Sequence, residues 1–334
     1  MKKIFLTGGC GYIGDPVIRE LLKANMTIIC YDLLIYGDKT IGNFLKNKNF
    51  HLIRGDIRDK KKVEDAIQGC DAVIHLAGIV GDKPCEVLGN LSYDINYNGT
   101  MHLADIAKKK GVKKFIFAST CSNYGISNPN SYATEESKLN PVSLYAESKI
   151  DCEKYLTKIS DEDFKALSLR IATIYGVAER IRFDLTVNSF AYEACRDKEI
   201  SIFASDSWRP YAHVKDIAKI IKHSLVKNFK SKKTIFNAGF TKQNFTKRNI
   251  VNKLLKLLPN LKVNFIDISN DLRNYKVDFT KIEKELKIKN DYDVEKGFKE
   301  IIKLYKKGLI NNNYFNKTNL DGVIKFYKKQ KTIL

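Results

Sequence analysis

Lys3-Ile4-Phe5-Leu6-Thr7-Gly8-Gly9-Cys10-Gly11-Tyr12-Ile13-Gly14 opens the chain and decides its architecture. A short apolar run stops at a glycine cluster, and a helical pattern follows at Val17, Ile18, Leu21 and Leu22. That order reads as strand, turn, helix. Glycines permit a tight turn and close approach of a phosphate to the backbone. The helix N-terminus adds N–H groups and partial positive charge for the anion. A glycine-rich match alone is weak; its position between strand and helix gives it meaning. Gly8, Gly11, Tyr12, Ile13 and Gly14 are therefore expected to cradle a dinucleotide pyrophosphate. Asp32 ends the next apolar run, 27–31, 18 residues past Gly14. A carboxylate at about that spacing suits ribose hydroxyls and repels a 2′-phosphate, so the expected cofactor is NAD. Asp15 would oppose a pyrophosphate if it faced inward, so it is expected to point away.

The alternation continues outward from this unit. Apolar runs at 50–54, 72–76, 115–118 and 166–169 alternate with helical patterns near 63–67, 91–110 and 142–158. Repeated strand–helix units imply an α/β fold with a doubly wound parallel sheet (Rossmann) and a smaller C-terminal substrate lobe. The expected division is 1–176 for the dinucleotide domain, with returning segments near 212–240. Residues 177–310 would form mainly the substrate lobe, and 311–334 a basic tail. Helices at 184–197, from Asp216 and at 247–258, with strands at 200–203 and 234–236, complete the reading.

Composition excludes several classes. The 334 residues are 44% hydrophobic and 29% charged, as in ordinary globular proteins. No apolar run approaches the roughly 18 residues of a membrane span, and Met1-Lys2-Lys3 leads into a buried strand, so a cytoplasmic protein without a membrane partner is expected. Seven cysteines without a C-x-x-C spacing read as reduced thiols. Five histidines show no ligand spacing, and no metal is expected. The net charge of +20 could mark a nucleic-acid binder. The lysines are scattered among acids and asparagines, however, which suits a solvated surface and no nucleic-acid partner.

Leu144-Tyr145-Ala146-Glu147-Ser148-Lys149 places Tyr145 and Lys149 one turn apart on a helix face. An ammonium beside a phenol favours phenolate, which would lower the tyrosine's pKa and equip it as an acid or base. Upstream lies Ser119-Thr120-Cys121-Ser122-Asn123-Tyr124-Gly125.

Together these motifs resemble the extended short-chain dehydrogenases, the nucleotide-sugar epimerase/dehydratase family. The resemblance covers roughly residues 1–308. It includes Gly55-Asp56-Ile57-Arg58-Asp59, His75-Leu76-Ala77-Gly78, Asn96 in Asn96-Tyr97-Asn98-Gly99-Thr100, residues 170–176 (RIATIYG), residues 209–216 (RPYAHVKD) and Phe236-Asn237-Ala238-Gly239. It implies Asp56 and Ile57 at the adenine, and Leu76, Ala77 and Gly78 along the ribose and phosphate, with Asn96 also at the cofactor. Thr120 would bind the reacting sugar hydroxyl and Tyr145 would take its proton. Lys149 would hold the nicotinamide ribose. Arg209 and Arg273 resemble arginines that grip a substrate diphosphate, a task suited to a guanidinium fork. Residues 180–185 (RIRFDL) with Asn188, also expected at the substrate, resemble a branch that includes heptose-nucleotide dehydrogenases.

Departures narrow the reaction. Dehydratases of this family carry an Asp-Glu pair after the catalytic threonine, where this chain has Cys121 and Ser122. Thr173 stands where many epimerases have asparagine, which leaves the sugar open. The resemblance implies an NAD-dependent nucleotide-sugar epimerase working through a 4-keto intermediate, and a homodimer. The alternatives are a nucleotide-sugar 4-dehydrogenase and a non-enzymatic dinucleotide-sensing or RNA-binding relative.

Overall fold

A computed structural model describes residues 2–128, 130–229, 234–267, 273–310 and 319–331. The first unit is strand β1 (Lys3–Thr7) and helix α1 (Gly14–Lys23), followed by β2 (Thr27–Asp32), β3 (Phe50–Arg54), α2 (Lys60–Ala66) and β4 (Ala72–His75). Helices α3 (Asp82–Leu88), α4 (Asn90–Tyr93) and α5 (Gly99–Lys109) precede β5 (Lys114–Thr120), the short β6 (Tyr132–Ala133), α6 (Leu144–Ile159) and β7 (Lys165–Ile171). Next come β8 (Thr173–Tyr175), α7 (Thr186–Asp197), β9 (Glu199–Phe203), β10 (Trp208–His213), α8 (Val214–Val226) and β11 (Ile235–Ala238). The remainder is β12 (Asn244–Thr246), α9 (Lys247–Leu255), β13 (Lys262–Ile266), β14 (Lys276–Val277), α10 (Thr280–Leu286), α11 (Val294–Lys306) and α12 (Asn319–Lys331).

Seven strands form one parallel sheet in the order β11-β7-β5-β4-β1-β2-β3. The doubly wound expectation holds. Strand residues alternate between two buried faces, as a sheet covered on both sides requires. Ile4, Leu6, Ile28, Cys30, Ile74 and Ile116 join one apolar cluster with Val17 and Leu21 of α1 and Ile217 and Ile221 of α8. Phe5, Ile29, Tyr31, Val73, Phe115 and Phe117 join the other, with Leu103 of α5 and Leu156 of α6. A third cluster gathers α7, α9, α11 and β9 around Phe190, Leu254 and Phe298. Strand order reverses between β1 and β4, so their C-terminal ends open the crevice where such sheets bind ligands.

Two expectations change. The helix expected over 91–110 is broken by a π-helical stretch at Asp94–Asn98. The widened turn brings Asn96 to the loop after β4, where it donates to the Ile79 carbonyl (2.9 Å) and accepts from the Ile79 amide (2.7 Å). The segment expected as a basic tail contains a helix, α12, whose Val323 and Tyr327 are buried in the second apolar cluster. No described helix is long and apolar enough to cross a membrane.

Candidate active site

The glycine loop builds the floor of the site. Gly8 has φ +73°, and a Cβ there would stand 2.5 Å from the Ala77 amide nitrogen. Only glycine lets the loop after β1 lie against the strip after β4. Gly14 allows α1 to pack on the loop, since a Cβ would come within 1.9 Å of the Gly9 carbonyl oxygen. α1 starts with no side-chain cap. Asp15 turns instead to Arg19, one helical turn away (2.8 Å).

A cavity of about 720 Å³ extends from this loop along the C-terminal ends of the strands. Gly8, Gly11, Tyr12, Ile13, Asp32, Asp56, Ile57, Leu76, Ala77, Gly78, Thr120, Tyr145, Lys149, Arg209 and Arg273 all line it. Three residues expected there do not. Gly14 is buried behind the loop. Asn96 is buried beneath Gly78 and pins the Ile79 backbone. Asn188 is fully buried, with its amide committed to the Gly176 N–H, the Tyr12 hydroxyl and the Arg182 carbonyl. These three are buried behind the cavity surface and shape its walls.

Asp32 accepts from the backbone N–H of Cys10 (2.9 Å) and of Leu34 (2.7 Å). Burial raises its carboxyl above the ordinary range, and these hydrogen bonds oppose that rise. Asp56 is held by Arg58 at 2.7 Å, and its carbonyl accepts from the Tyr31 hydroxyl. Arg58's hydrogen bonds hold the Asp56 carboxyl low even though burial pushes it up.

Thr120 ends β5, and its hydroxyl accepts from the Ser122 N–H at 3.1 Å. Ser143 caps α6 through the Ala146 N–H, and the first turns of that helix carry Tyr145 and Lys149 to the same wall. The ammonium of Lys149 donates to the Ala118 carbonyl (2.9 Å) and lies over the Phe117 ring at 4.5 Å. Its distance to the Tyr145 ring is 5.9 Å. The expectation that Lys149 lowers the phenol's pKa is corrected here. Burial dominates and pushes Tyr145 up, while Arg182 and a hydrogen bond with Thr120 act in the opposite direction. Burial likewise pushes Lys149 down.

Two buried networks hold this wall. His75 bridges Thr7 of β1 (2.6 Å) and Thr100 of α5 (2.9 Å). Burial, then the Lys149 charge, pushes its pKa down to about 3, so the ring is neutral. Beneath β5, Glu153 receives Arg170 through both carboxylate oxygens, and also Asn123 (2.9 Å) and Ser119 (2.5 Å). Cys121 points into this core and its thiol donates to the Arg170 carbonyl, whereas Ser122 lines the cavity.

The far end of the cavity is cationic. Arg209 donates to the Trp208 carbonyl at 2.7 Å and stacks on Tyr275, and Arg273 pairs with Asp82 at 2.9 Å. Sequence reasoning missed Arg182, paired with Asp184 at 2.7 Å, and also Tyr36, Arg180, Lys247 and Asn319. Residues 180–184 carried a signal, two arginines and an aspartate at alternate positions after a strand. Tyr36 and Asn319 carried none. Among the described residues no cluster of His, Cys, Asp or Glu could hold a metal ion, and all seven cysteines are buried free thiols.

A doubly wound sheet with a glycine loop at its switch point, and a Tyr–Lys pair in the same crevice, defines a dinucleotide-binding protein of the short-chain dehydrogenase type. A sequence profile described as the NAD dependent epimerase/dehydratase family matches residues 4–239. The chain belongs to that family. It is 33% identical over 184 residues to UDP-glucose 4-epimerase 2 of Oryza sativa subsp. japonica, covering 51% of this chain and 44% of that protein. With UDP-glucose 4-epimerase of Neisseria meningitidis serogroup C it shares 29% over 244 residues, 66% and 71% of the two chains. The chain thus spans somewhat under half the length of the rice relatives it matches. The structure of a UDP-N-acetylglucosamine 4-epimerase from Methanobrevibacter ruminantium M1 superposes with a TM-score of 0.82 at 22% identity, covering 92% of this chain and 99% of that one. At that identity the likeness establishes the fold.

Proposed function

We propose that this protein is an NAD-dependent nucleotide-sugar epimerase acting through a 4-keto sugar. The observation that carries the reading is what faces the cavity beside Thr120 and Tyr145. Of the two residues after Thr120, one is buried in the core and the other offers a hydroxyl. The nearby carboxylates Asp82 and Asp184 are paired with arginines. Among the described residues no acid–base pair is placed there to eliminate water, which favours epimerisation over dehydration. The named activity of the curated relatives points the same way.

Gly8, Gly11, Tyr12 and Ile13 would hold the pyrophosphate, Asp32 the adenosine ribose, Asp56 and Ile57 the adenine, Leu76–Gly78 the ribose and phosphate, and Lys149 the nicotinamide ribose. The donor set fits NAD: backbone at a helix start for the phosphates and carboxylates for the ribose and base. A bound dinucleotide would supply the hydride acceptor. Thr120 would orient the sugar's 4-hydroxyl, and Tyr145 would take its proton during oxidation and return it during reduction. Burial favours the neutral phenol and outweighs the opposing pull of Arg182 and the Thr120 hydrogen bond. Lys149, anchored on Ala118, positions the ribose. Arg209 and Arg273 would grip the diphosphate. Helices α5 and α6 are proposed as a homodimer interface.

The test incubates the protein with UDP-, GDP- and dTDP-sugars and follows product stereochemistry and cofactor absorbance. The expected result is inversion at C4 with no accumulation of reduced cofactor, and a Tyr145→Phe turnover lower by about 10²–10⁴-fold. Stoichiometric reduced cofactor would identify a 4-dehydrogenase instead, and near-normal turnover by the variant would remove Tyr145 from the chemistry.

A further inference from the structure

The dinucleotide crevice has a wall that its glycine loop and sheet do not supply. Asn319, at the start of α12 and 4% exposed, joins three separate parts of the molecule. Its side-chain amide donates to the Val80 carbonyl (3.1 Å) in the loop after β4. Its Oδ1 accepts from the Arg180 guanidinium (2.8 Å) in the segment after β8. Its backbone carbonyl accepts from the Tyr36 hydroxyl (3.4 Å) in the loop after β2. Arg180 also lies over the Tyr36 ring, 3.6 Å from its centroid. One turn further, Gly322 rests on that ring so closely that a Cβ would come within 2.2 Å of it. The helix then reaches the other end of the adenosine half, where Tyr327 feels the charges of Arg58 and Asp56. Leu320 and Tyr327 face the cavity.

We propose that α12 is a clasp across the adenosine half of the crevice, and that the dinucleotide stays on the enzyme between turnovers because Asn319 must release three walls before it can leave. This rests on the cofactor reading above and deepens it. An epimerase hands its hydride back to the same sugar and is served by a resident cofactor. An enzyme that oxidises its substrate outright must exchange its cofactor every cycle. From Leu320 to Tyr327 the clasp runs along the adenosine half toward Asp56, so its hold depends chiefly on the adenosine being present.

The experiment measures release of bound NADH, by fluorescence, into a large excess of NAD, for the full chain and for Asn319→Ala and Gly322→Leu. Reduced nicotinamide mononucleotide, which lacks the adenosine, is the second probe. Both variants are expected to release NADH at least tenfold faster, with release of the mononucleotide changed less than twofold. Asn319→Ala is a small change and carries the test if Gly322→Leu does not fold. NADH release within twofold of the parent overturns the clasp. So does equal acceleration of both probes, which would mean general loosening, and so does tighter NADH binding on loss of Asn319, which would make α12 a competitor. A parent chain that binds neither probe defeats the cofactor reading and the clasp together, whereas binding with unaltered release defeats the clasp alone.

Discussion

Asp32 performs two tasks with one carboxylate. It accepts from the Cys10 and Leu34 N–H groups and so fixes the glycine loop, and it faces the cavity where a ribose would lie. Asp32→Ala should therefore weaken NAD and NADP together, because the loop loses its anchor, while NAD loses more. Hydrogen bonds to a charged group are worth about 1.5–3 kcal/mol, so a loss of roughly tenfold or more in NAD affinity is expected. Asp32→Asn keeps an acceptor for the loop and removes the charge. It should narrow the NAD/NADP ratio with a smaller loss of NAD affinity. Titrating both cofactors against both variants checks this, and an Asn variant with the parent's ratio would show that the charge does not select. At this scale the sequence was informative where a residue's chemistry announces its partner. Asp32, Tyr145 and Lys149 could be placed from their spacing. Asn188 could not, because an amide buried between Gly176, Tyr12 and Arg182 looks the same in sequence as one facing a sugar.

Among the elements, β5 and α6 carry Thr120, Tyr145 and Lys149, and the buried Glu153–Arg170 pair joins them to β7. Both side chains are nearly inaccessible, at 2% and 3% exposed. A buried charge is tolerable only while its partner and hydrogen bonds are present. Glu153→Ala leaves the Arg170 guanidinium, Ser119 and Asn123 without their shared acceptor. A stability loss of about 3–5 kcal/mol is expected in denaturant unfolding. A loss below about 1 kcal/mol would mean the pair does not brace the end of β5. Nothing in the sequence flagged this brace, since Glu153 looks like any other acid in an α6 rich in charge. The strands and most helices were legible because two-faced burial writes an apolar run and a covering helix writes a 3.6-residue period. The π-helical stretch at Asp94–Asn98 was not, because one added residue leaves the apolar pattern of a helix almost unchanged.

On the scale of the whole molecule, the surface cations are interleaved with acids. Lys23 pairs with Glu20, Lys110 with Glu64, Lys108 with Asp161, and Lys154 with Asp151. Such exposed pairs add little stability, so the net charge of +20 is chiefly a source of self-repulsion, and it grows as carboxylates protonate. Two groups, the buried His75 and the half-buried Glu300, make the fold acid-sensitive before that repulsion dominates. His75 has a folded pKa of about 3, against about 6.5 in an unfolded chain. Only the unfolded chain takes the proton between these values, so the stability His75 confers is complete above pH ~6.5 and is lost progressively as pH falls toward about 3. Glu300 is lowered to about 2; burial alone would raise it, but hydrogen bonds and charge from His213 and Lys215 outweigh that. Its contribution is present above the ordinary glutamate range near 4.3 and disappears only as pH falls toward about 2. Between pH ~6.5 and ~4.5 the histidine term acts before the glutamate term begins. At 1.36 kcal/mol per pKa unit, it should cost about 2–3 kcal/mol over that interval. His223, also lowered by burial, adds in the same direction, so the assignment needs a variant. His75→Gln retains a hydrogen-bonding side chain between Thr7 and Thr100 but cannot take the proton. Denaturant unfolding at pH 7.5, 5.5 and 4.5 should show the parent losing stability across the series and His75→Gln, though weaker at pH 7.5, losing much less. Parallel losses in the two proteins would assign the acid sensitivity to the net charge rather than to the neutral imidazole buried beneath Lys149.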